Sequence, residues 1–275
     1  MIGRPTLVAF RVLAIALGLV YLLPLLWIIV TSLKTNAQVL RDPNALFFTP
    51  TLETYQTAIG SGLAAIITSL QIGLIVTLAV LAIAVPAAFA LARRLTVFWG
   101  RVIAVVLAAL LVLQMVPQPM TVIPLYSVLA GWGILGTLPG LILADIALLL
   151  PFAVMLLRPF VLSIPRALYE AAEIDGASMF QSFRLITVPM LSNGIFTVMS
   201  VIFISTWGEF VYAINFLPEG TVLPVSALLA QQNTTYAANW NSLMALAVLT
   251  SLPLLILFVF TQKRLISGLS LGAVK

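Results

Sequence analysis

Residues 63–91 read LAAIITSLQIGLIVTLAVLAIAVPAAFAL, an apolar run without a single charged side chain. About 20 such residues in helical form cross the hydrocarbon core of a bilayer. Polar and apolar positions do not alternate along it, so it lacks the two-faced pattern of a barrel strand. Backbone groups inside lipid must then satisfy one another within an α-helix. Comparable runs occupy residues 8–30, 102–126, 138–157, 195–217 and 243–261, which predicts six transmembrane helices. The first follows Arg4 and contains Arg11, as a signal peptide would. It is too long for a signal h-region and shows no small-x-small cleavage site, so it is expected to remain as a helix.

Composition agrees with a lipid solvent. Hydrophobic residues make up 62% of the chain and charged residues 8%, too little polar surface to cover a water-soluble globule. The expected fold class is an all-α integral membrane protein, residues 1–275 forming a single transmembrane domain. Cysteine and histidine are both absent, which removes disulfides, thiolate chemistry, the commonest metal ligand and the commonest general base. No enzymatic role and no cofactor or metal of its own are expected. The formal net charge of +5 has to be read by position relative to the spans, and no nucleic-acid partner is inferred from it.

Arg4, Arg11, Arg93, Arg94, Arg101, Arg158, Arg166, Arg184, Lys263, Arg264 and Lys275 all fall on one side of a six-span arrangement, leaving Lys34 and Arg41 on the other. By the positive-inside rule both termini are expected in the cytoplasm. Pro86, Pro117, Pro119, Pro124 and Pro151 lie within the expected spans, where each frees a carbonyl and kinks its helix unless neighbours re-satisfy it. Ala84, Ala88 and Ala92 form a small-residue stripe suited to close helix packing. Both features fit ordinary bundle packing.

Between the fourth and fifth spans, residues 163–189 form the most polar stretch on the basic side. Pro165 suits a first helical turn, and Gly176 can take the left-handed conformation that ends a helix. Ser178 and Gln181 have capping-box spacing for a second helix, which Pro189 is expected to stop. Ala167, Ala171 and Ile174 share a small apolar face beside Glu170 and Glu173. A helix pair lying on lipid headgroups is one reading of this peg. Glu170, Glu173 and Asp175 outnumber Arg166 and Arg184, however, which favours a protein partner over anionic lipid.

Glu170-Ala171-Ala172, then Gly176, then Ile186-Thr187-Val188-Pro189 resembles the EAA loop of ABC importer permeases, with Val188 where leucine is usual. The resemblance implies a coupling helix that docks into a separate ATPase, using Glu170, Ala171, Ala172, Asp175, Gly176, Ala177, Met179 and Pro189. Pro24-Leu25-Leu26-Trp27, Ser32-Leu33-Lys34, residues 87–93, Ile123-Pro124-Leu125-Tyr126 and the tail 268–275 are similar to the carbohydrate permeases of the maltose and trehalose type. That similarity implies a heterodimer with a second permease, two copies of a cytoplasmic ABC ATPase that bind the ATP and Mg, and an extracytoplasmic substrate-binding protein. It implies a bacterial or archaeal plasma membrane as the location. Within the cytoplasmic tail 262–275, it further implies that Gly272, Ala273, Val274 and Lys275 reach between the ATPases.

Two polar sets fall near mid-membrane, Gln114, Gln118 and Thr121 on the third span and Ser205, Glu209 and Tyr212 on the fifth. Helical spacing would put each set on one face. A carboxylate at mid-bilayer costs roughly 2.5–3.5 kcal/mol on insertion scales, so Glu209 should face a cavity or a partner chain. Carboxamides, a carboxylate and aromatics such as Trp207 suit a sugar's hydroxyls and apolar ring faces. The expected substrate pathway is therefore Gln114, Gln118, Ser205, Trp207, Glu209 and Tyr212, with a structural interhelical hydrogen bond between subunits as the alternative for Glu209, Gln114 and Gln118. Trp207-Gly208-Glu209-Phe210 resembles the Trp-Asn-Asp/Glu-Phe region of sugar permeases, with Gly208 replacing Asn. Asp145, two turns into the fourth span, reads first as structural. Outside, residues 218–240 form a polar and aromatic loop whose Gln231, Asn233, Tyr236 and Trp240 suit contact with a binding protein, or else make a plain linker.

Gly268-Leu269-Ser270-Leu271-Gly272 matches a nucleophile elbow, but with no histidine to act as base the match is chance. No P-loop pattern occurs, so energy is expected to come from a partner. The function these features imply is one half of an ATP-driven sugar importer. A glycerophosphodiester or amino sugar is the alternative cargo. A proton-coupled secondary carrier using Glu209 and Asp145, and a non-transport scaffold, are the remaining classes.

Overall fold

A computed structural model of the chain describes residues 4–92, 96–218, 223–232 and 239–273, with side chains described from 11 to 262. Among these residues all regular structure is helical: α1 (Arg4–Ser32), α2 (Asn36–Arg41), α3 (Glu53–Ala92), α4 (Val97–Met115), α5 (Gln118–Gly131), α6 (Leu138–Leu162), α7 (Arg166–Ile174), α8 (Met179–Ser182), a π-helical stretch (Phe183–Thr187), α9 (Val188–Met190), α10 (Ser192–Trp207), α11 (Val211–Phe216), α12 (Val225–Gln231) and α13 (Trp240–Ala273). Five helices, α1, α3, α4, α6 and α13, are long and apolar enough to cross a membrane. The segment Met179–Met190 joins α10 at a 71° bend, and this bent pair brings the span count to six.

Two of the expected continuous spans are broken, each for a local reason. The third ends at Met115 because Val116 precedes Pro117, and the proline ring pushes the residue before it out of the helical region; Val116 is extended at φ −71°, ψ 118°. Pro117 then caps α5 and Pro119 occupies its first turn, where a missing N–H costs nothing. Neither proline therefore interrupts a helix interior, whereas Pro86, Pro124 and Pro151 do. The fifth span stops at Trp207, and Gly208, Glu209 and Phe210 separate α10 from α11. Glu209 stabilises that break by accepting from Tyr212 N at 2.7 Å and Ala213 N at 3.1 Å, two donors that the start of a helix leaves unpaired.

The chain divides into two compact units. One comprises the described residues of 1–66 and 228–253. Its small core packs Ala58 against Ala245 and Leu246. Thr54 Oγ1 accepts from Asn241 Nδ2 at 3.0 Å, and Ser32 Oγ meets Tyr55 OH at 2.6 Å. Lys34 is fully buried, with no ion-paired carboxylate among the described residues. Its Nζ donates to Pro43 O at 2.8 Å and lies over the Trp27 and Phe48 rings at 5.6 and 5.2 Å, so cation–π attraction helps offset its desolvation.

The other unit comprises the described residues of 67–227 and 254–275. Its core is built from stripes at i, i+4 spacing: Ile72, Val76, Val80, Ala84 and Ala88 on α3; Leu141, Asp145, Leu149, Ala153, Leu157 and Val161 on α6; Val198, Ile202 and Thr206 on α10. Every residue in these stripes is buried. Such ridges interdigitate, and small residues let backbones approach. At Gly194 on α10 a Cβ would stand 2.7 Å from Phe160 Cγ of α6, and at Gly73 on α3 it would stand 2.9 Å from Phe203 Cε2 of α10. By contrast α4 buries none of its side chains and presents an apolar surface to its surroundings.

Candidate functional site

The peg between α6 and α10 folds as its residue types dictate. Helix α7 ends in a complete Schellman turn: Gly176 has φ +77°, Gly176 N donates to Glu173 O at 3.1 Å and Ala177 N to Ala172 O at 2.8 Å. Ser178 then caps α8 reciprocally, its Oγ accepting from Gln181 N at 3.3 Å while Gln181 Oε1 accepts from Ser178 N at 2.7 Å. Pro189 does not stop the second helix as expected; the helix runs on to Met190 and bends at Leu191. The proline lacks the N–H that would bond a preceding carbonyl, and the chain just before it widens into a π turn in which Val188 N donates to Phe183 O.

The peg is tied back to the bundle by contacts that the sequence reading did not anticipate. Tyr169 OH meets Thr187 Oγ1 at 2.9 Å. The buried Phe89 of α3 stands 6.3 Å from the Tyr169 ring and 5.2 Å from the Phe183 ring. No spacing rule singles out Phe89 or Phe183, because each becomes a contact only after the chain has turned back. Away from the bundle, Glu170, Ala171, Glu173, Asp175, Gly176, Met179 and Pro189 are exposed, and Ala172 and Ala177 are half-buried. Ile174 is 86% exposed and Phe180 67%, large apolar surface on an otherwise polar element. A groove of about 430 Å³, lined by Arg166, Glu170, Glu173 and Met179 among others, runs beside them.

At mid-span Glu209 collects a third donor, Gln118 Nε2 at 2.7 Å to Oε1, in addition to the two backbone N–H groups. Gln118 and Thr121 on α5 thus meet Glu209 and Tyr212, Thr121 Oγ1 bonding the Tyr212 hydroxyl. Gln114 lies before the helix break and donates instead to Leu148 O at 3.3 Å, so the expected three-residue face is divided. Within this chain Trp207, Glu209 and Tyr212 are buried, Ser205 and Gln118 half-buried, and Gln114 exposed. Trp207 packs on Phe203 at 5.9 Å, and Tyr212 stacks on Phe216 at 5.1 Å. Asp145 is 1% exposed, and its Oδ1 has no hydrogen-bond partner among the described residues.

The segment after the fifth span is not wholly a loop. Residues 223–232 form α12 and its flanks, with Val225 N donating to Ser69 Oγ at 2.8 Å and Ser226 Oγ to Glu209 O. The apolar run Val225-Ser226-Ala227-Leu228-Leu229 was the available signal for this. Gln231 and Trp240 are exposed, whereas Asn233 and Tyr236 lie outside the described residues. Gly272 and Ala273 are described only as backbone at the end of α13, and Val274 and Lys275 lie outside the described residues.

Residues 82–270 match the family described as binding-protein-dependent transport system inner membrane component. The diacetylchitobiose uptake system permease protein of Streptomyces coelicolor is 33% identical over 94% of this chain and 93% of its own length. The trehalose transport system permease protein of Mycobacterium tuberculosis is 33% identical over 92% of each. A crystal structure of a bacterial ABC transporter involved in the import of the acidic polysaccharide alginate contains a chain that superposes with a TM-score of 0.77 at 20% identity, covering 96% of this chain and 98% of that one. At that identity the superposition speaks for the fold. An apolar helical bundle, a capped peg and near end-to-end similarity to sugar permeases agree: the chain belongs to the binding-protein-dependent transport system inner membrane component family, as a multi-pass permease subunit of an ABC importer of the carbohydrate type, a transport component rather than an enzyme.

Proposed function

We propose that this chain forms one half of the translocation pathway of an ATP-driven sugar importer and receives its driving force through the peg of residues 163–189. The observation that carries this is a doubly capped peg exposing Ile174 and Phe180. An apolar tip on a polar element is suited to a cleft in another protein. The aromatic contacts of Phe89 with Tyr169 and Phe183 would carry movement of the tip into α3 and α10.

The remaining subunits are a second permease, two copies of an ABC ATPase that hold ATP and Mg, and an extracytoplasmic binding protein. The distribution of Lys and Arg supports cytoplasmic termini, which puts the peg on the ATPase side and Gln231 and Trp240 on the binding-protein side. The names of the relatives, covering uptake of diacetylchitobiose and transport of trehalose, support a disaccharide or amino-sugar cargo. A glycerophosphodiester is the competing cargo. Gln114, Gln118 and Ser205 are the polar pathway groups with surface free to meet it; Trp207, Glu209 and Tyr212 act from behind them.

Reconstituted uptake in proteoliposomes tests the scheme. Import is expected only with the ATPase and ATP present, and uptake that persists without the ATPase overturns it.

A further inference from the structure

We propose that the groove between the start of α4 and the end of α6 binds one anionic phospholipid, its phosphate on Arg158 and its acyl chains along α4. The groove encloses about 510 Å³. Thr96 and Arg158 are the polar residues that line it, beside Val97, Gly100, Ile103 and Leu107. A Cβ built on Gly100 meets nothing within 4 Å, so the space beside it is empty of protein.

Arg158 is held for such a role. Its Nε donates to Leu91 O at 3.1 Å, which orients the guanidinium and leaves its other four N–H groups without a partner among the described residues. An oriented guanidinium fork matches a phosphate, and the half-buried stem keeps the charge at the polar edge of an apolar slot. Trp99, exposed on the first turn of α4 with its ring 5.9 Å from that of Phe98, is a residue type that settles at headgroup depth. Ile103 and Leu107 lie about one and two turns further along α4, the direction in which acyl chains run. Arg101 is exposed on the same turn as Gly100 and adds a second positive charge. A zwitterionic headgroup would set its own cation against these arginines, and an apolar partner helix would leave the guanidinium unpaired, so charge complementarity selects an anionic lipid. The proposal does not depend on the identity of the imported solute.

The test uses the full chain purified with the subunits that assemble with it, delipidated in detergent and titrated with phosphatidylglycerol or phosphatidylcholine of matched acyl chains under native mass spectrometry. Wild type is expected to bind its first phosphatidylglycerol at least about fivefold more tightly than phosphatidylcholine, the equivalent of roughly one basic residue at an anionic surface. Arg158→Gln should erase that preference, because the charge is gone while an amide can still reach Leu91 O. Arg158→Lys should keep most of it. Gly100→Leu should fill the slot and weaken both lipids, and it replaces a helix-interior glycine by a better helix former, so folding should not suffer. Inorganic phosphate alone should not displace the lipid. Equal affinity for the two lipids in wild type, an unchanged preference in Arg158→Gln, or displacement by inorganic phosphate would each overturn the proposal. So would a Gly100→Leu complex that keeps its lipid but loses the second permease, which would assign the groove to a partner helix.

Discussion

Replacing Gly176 isolates the geometry of the peg from its chemistry. The residue sits at φ +77° with nothing within 4 Å of the position a Cβ would take, so a side chain meets no neighbour and the only penalty is conformational. For an L-residue in this region that penalty is roughly 1–2 kcal/mol, smaller for Asn and larger for a β-branched side chain. The chain can escape it by opening the turn, at the expense of two hydrogen bonds, Gly176 N to Glu173 O and Ala177 N to Ala172 O. At about 1 kcal/mol net for each, opening costs about 2 kcal/mol, which caps the effect of any substitution. If the peg must be closed to seat in the ATPase, binding of the ATPase should weaken by no more than about thirtyfold, in the order Asn, then Ala, then Val. Titrating labelled ATPase onto the detergent-solubilised permease complex measures this directly, and solute-stimulated ATP hydrolysis should fall in the same order. A Val variant that binds like wild type would refute the reasoning. Asn and Val variants impaired alike would also refute it, since they would show a contact surface at Gly176 rather than a backbone requirement.

Two further substitutions probe the bundle. Glu209→Ala should lower the thermal stability of the purified complex by about 2–5 kcal/mol, because Gln118 and the N–H groups of Tyr212 and Ala213 lose their acceptor inside the protein. Glu209→Gln retains one acceptor oxygen and should cost less than half as much; equal losses for the two would argue against the capping role. Gly194→Val should cost at least about 2 kcal/mol, since the atoms it meets at 2.7–3.0 Å are Cβ, Cγ and Cδ1 of Phe160, close to the α6 backbone and unable to swing away. Adding Phe160→Ala should recover part of that loss in a double-mutant cycle of melting temperatures, and strict additivity would refute the contact.

Much of the architecture was legible because the bilayer imposes simple rules. Apolar runs mark helices regardless of what they pack against, and the peg is governed by local devices: a left-handed glycine, a reciprocal cap, a proline in a first turn. Gly176, Ser178 and Gln181 therefore do in three dimensions what their types announce. The mid-span polar sets were less legible. Reading Gln114, Gln118 and Thr121 as one helical face assumed an unbroken helix, and Val116 before Pro117 breaks it. Reading Ser205, Glu209 and Tyr212 the same way missed that Glu209 caps a new helix, a role that hydropathy cannot distinguish from a lumen-facing carboxylate.

The solvent, the helical class, the position of the peg and the family resemblance could be read from the chain alone, since each depends on composition or on the order of residues along it. It took the folded arrangement to show that Phe89 braces the peg, that Gln118 rather than Gln114 reaches Glu209, that Trp207 and Tyr212 lie buried within the chain, and that Arg158 lines an apolar slot. The contacts behind them join residues far apart in the chain, such as Arg158 with Leu91, Gln118 with Glu209 and Phe89 with Phe183, or depend on space left between helices. Side-chain periodicity says which face of a helix is apolar and leaves open which neighbour covers it.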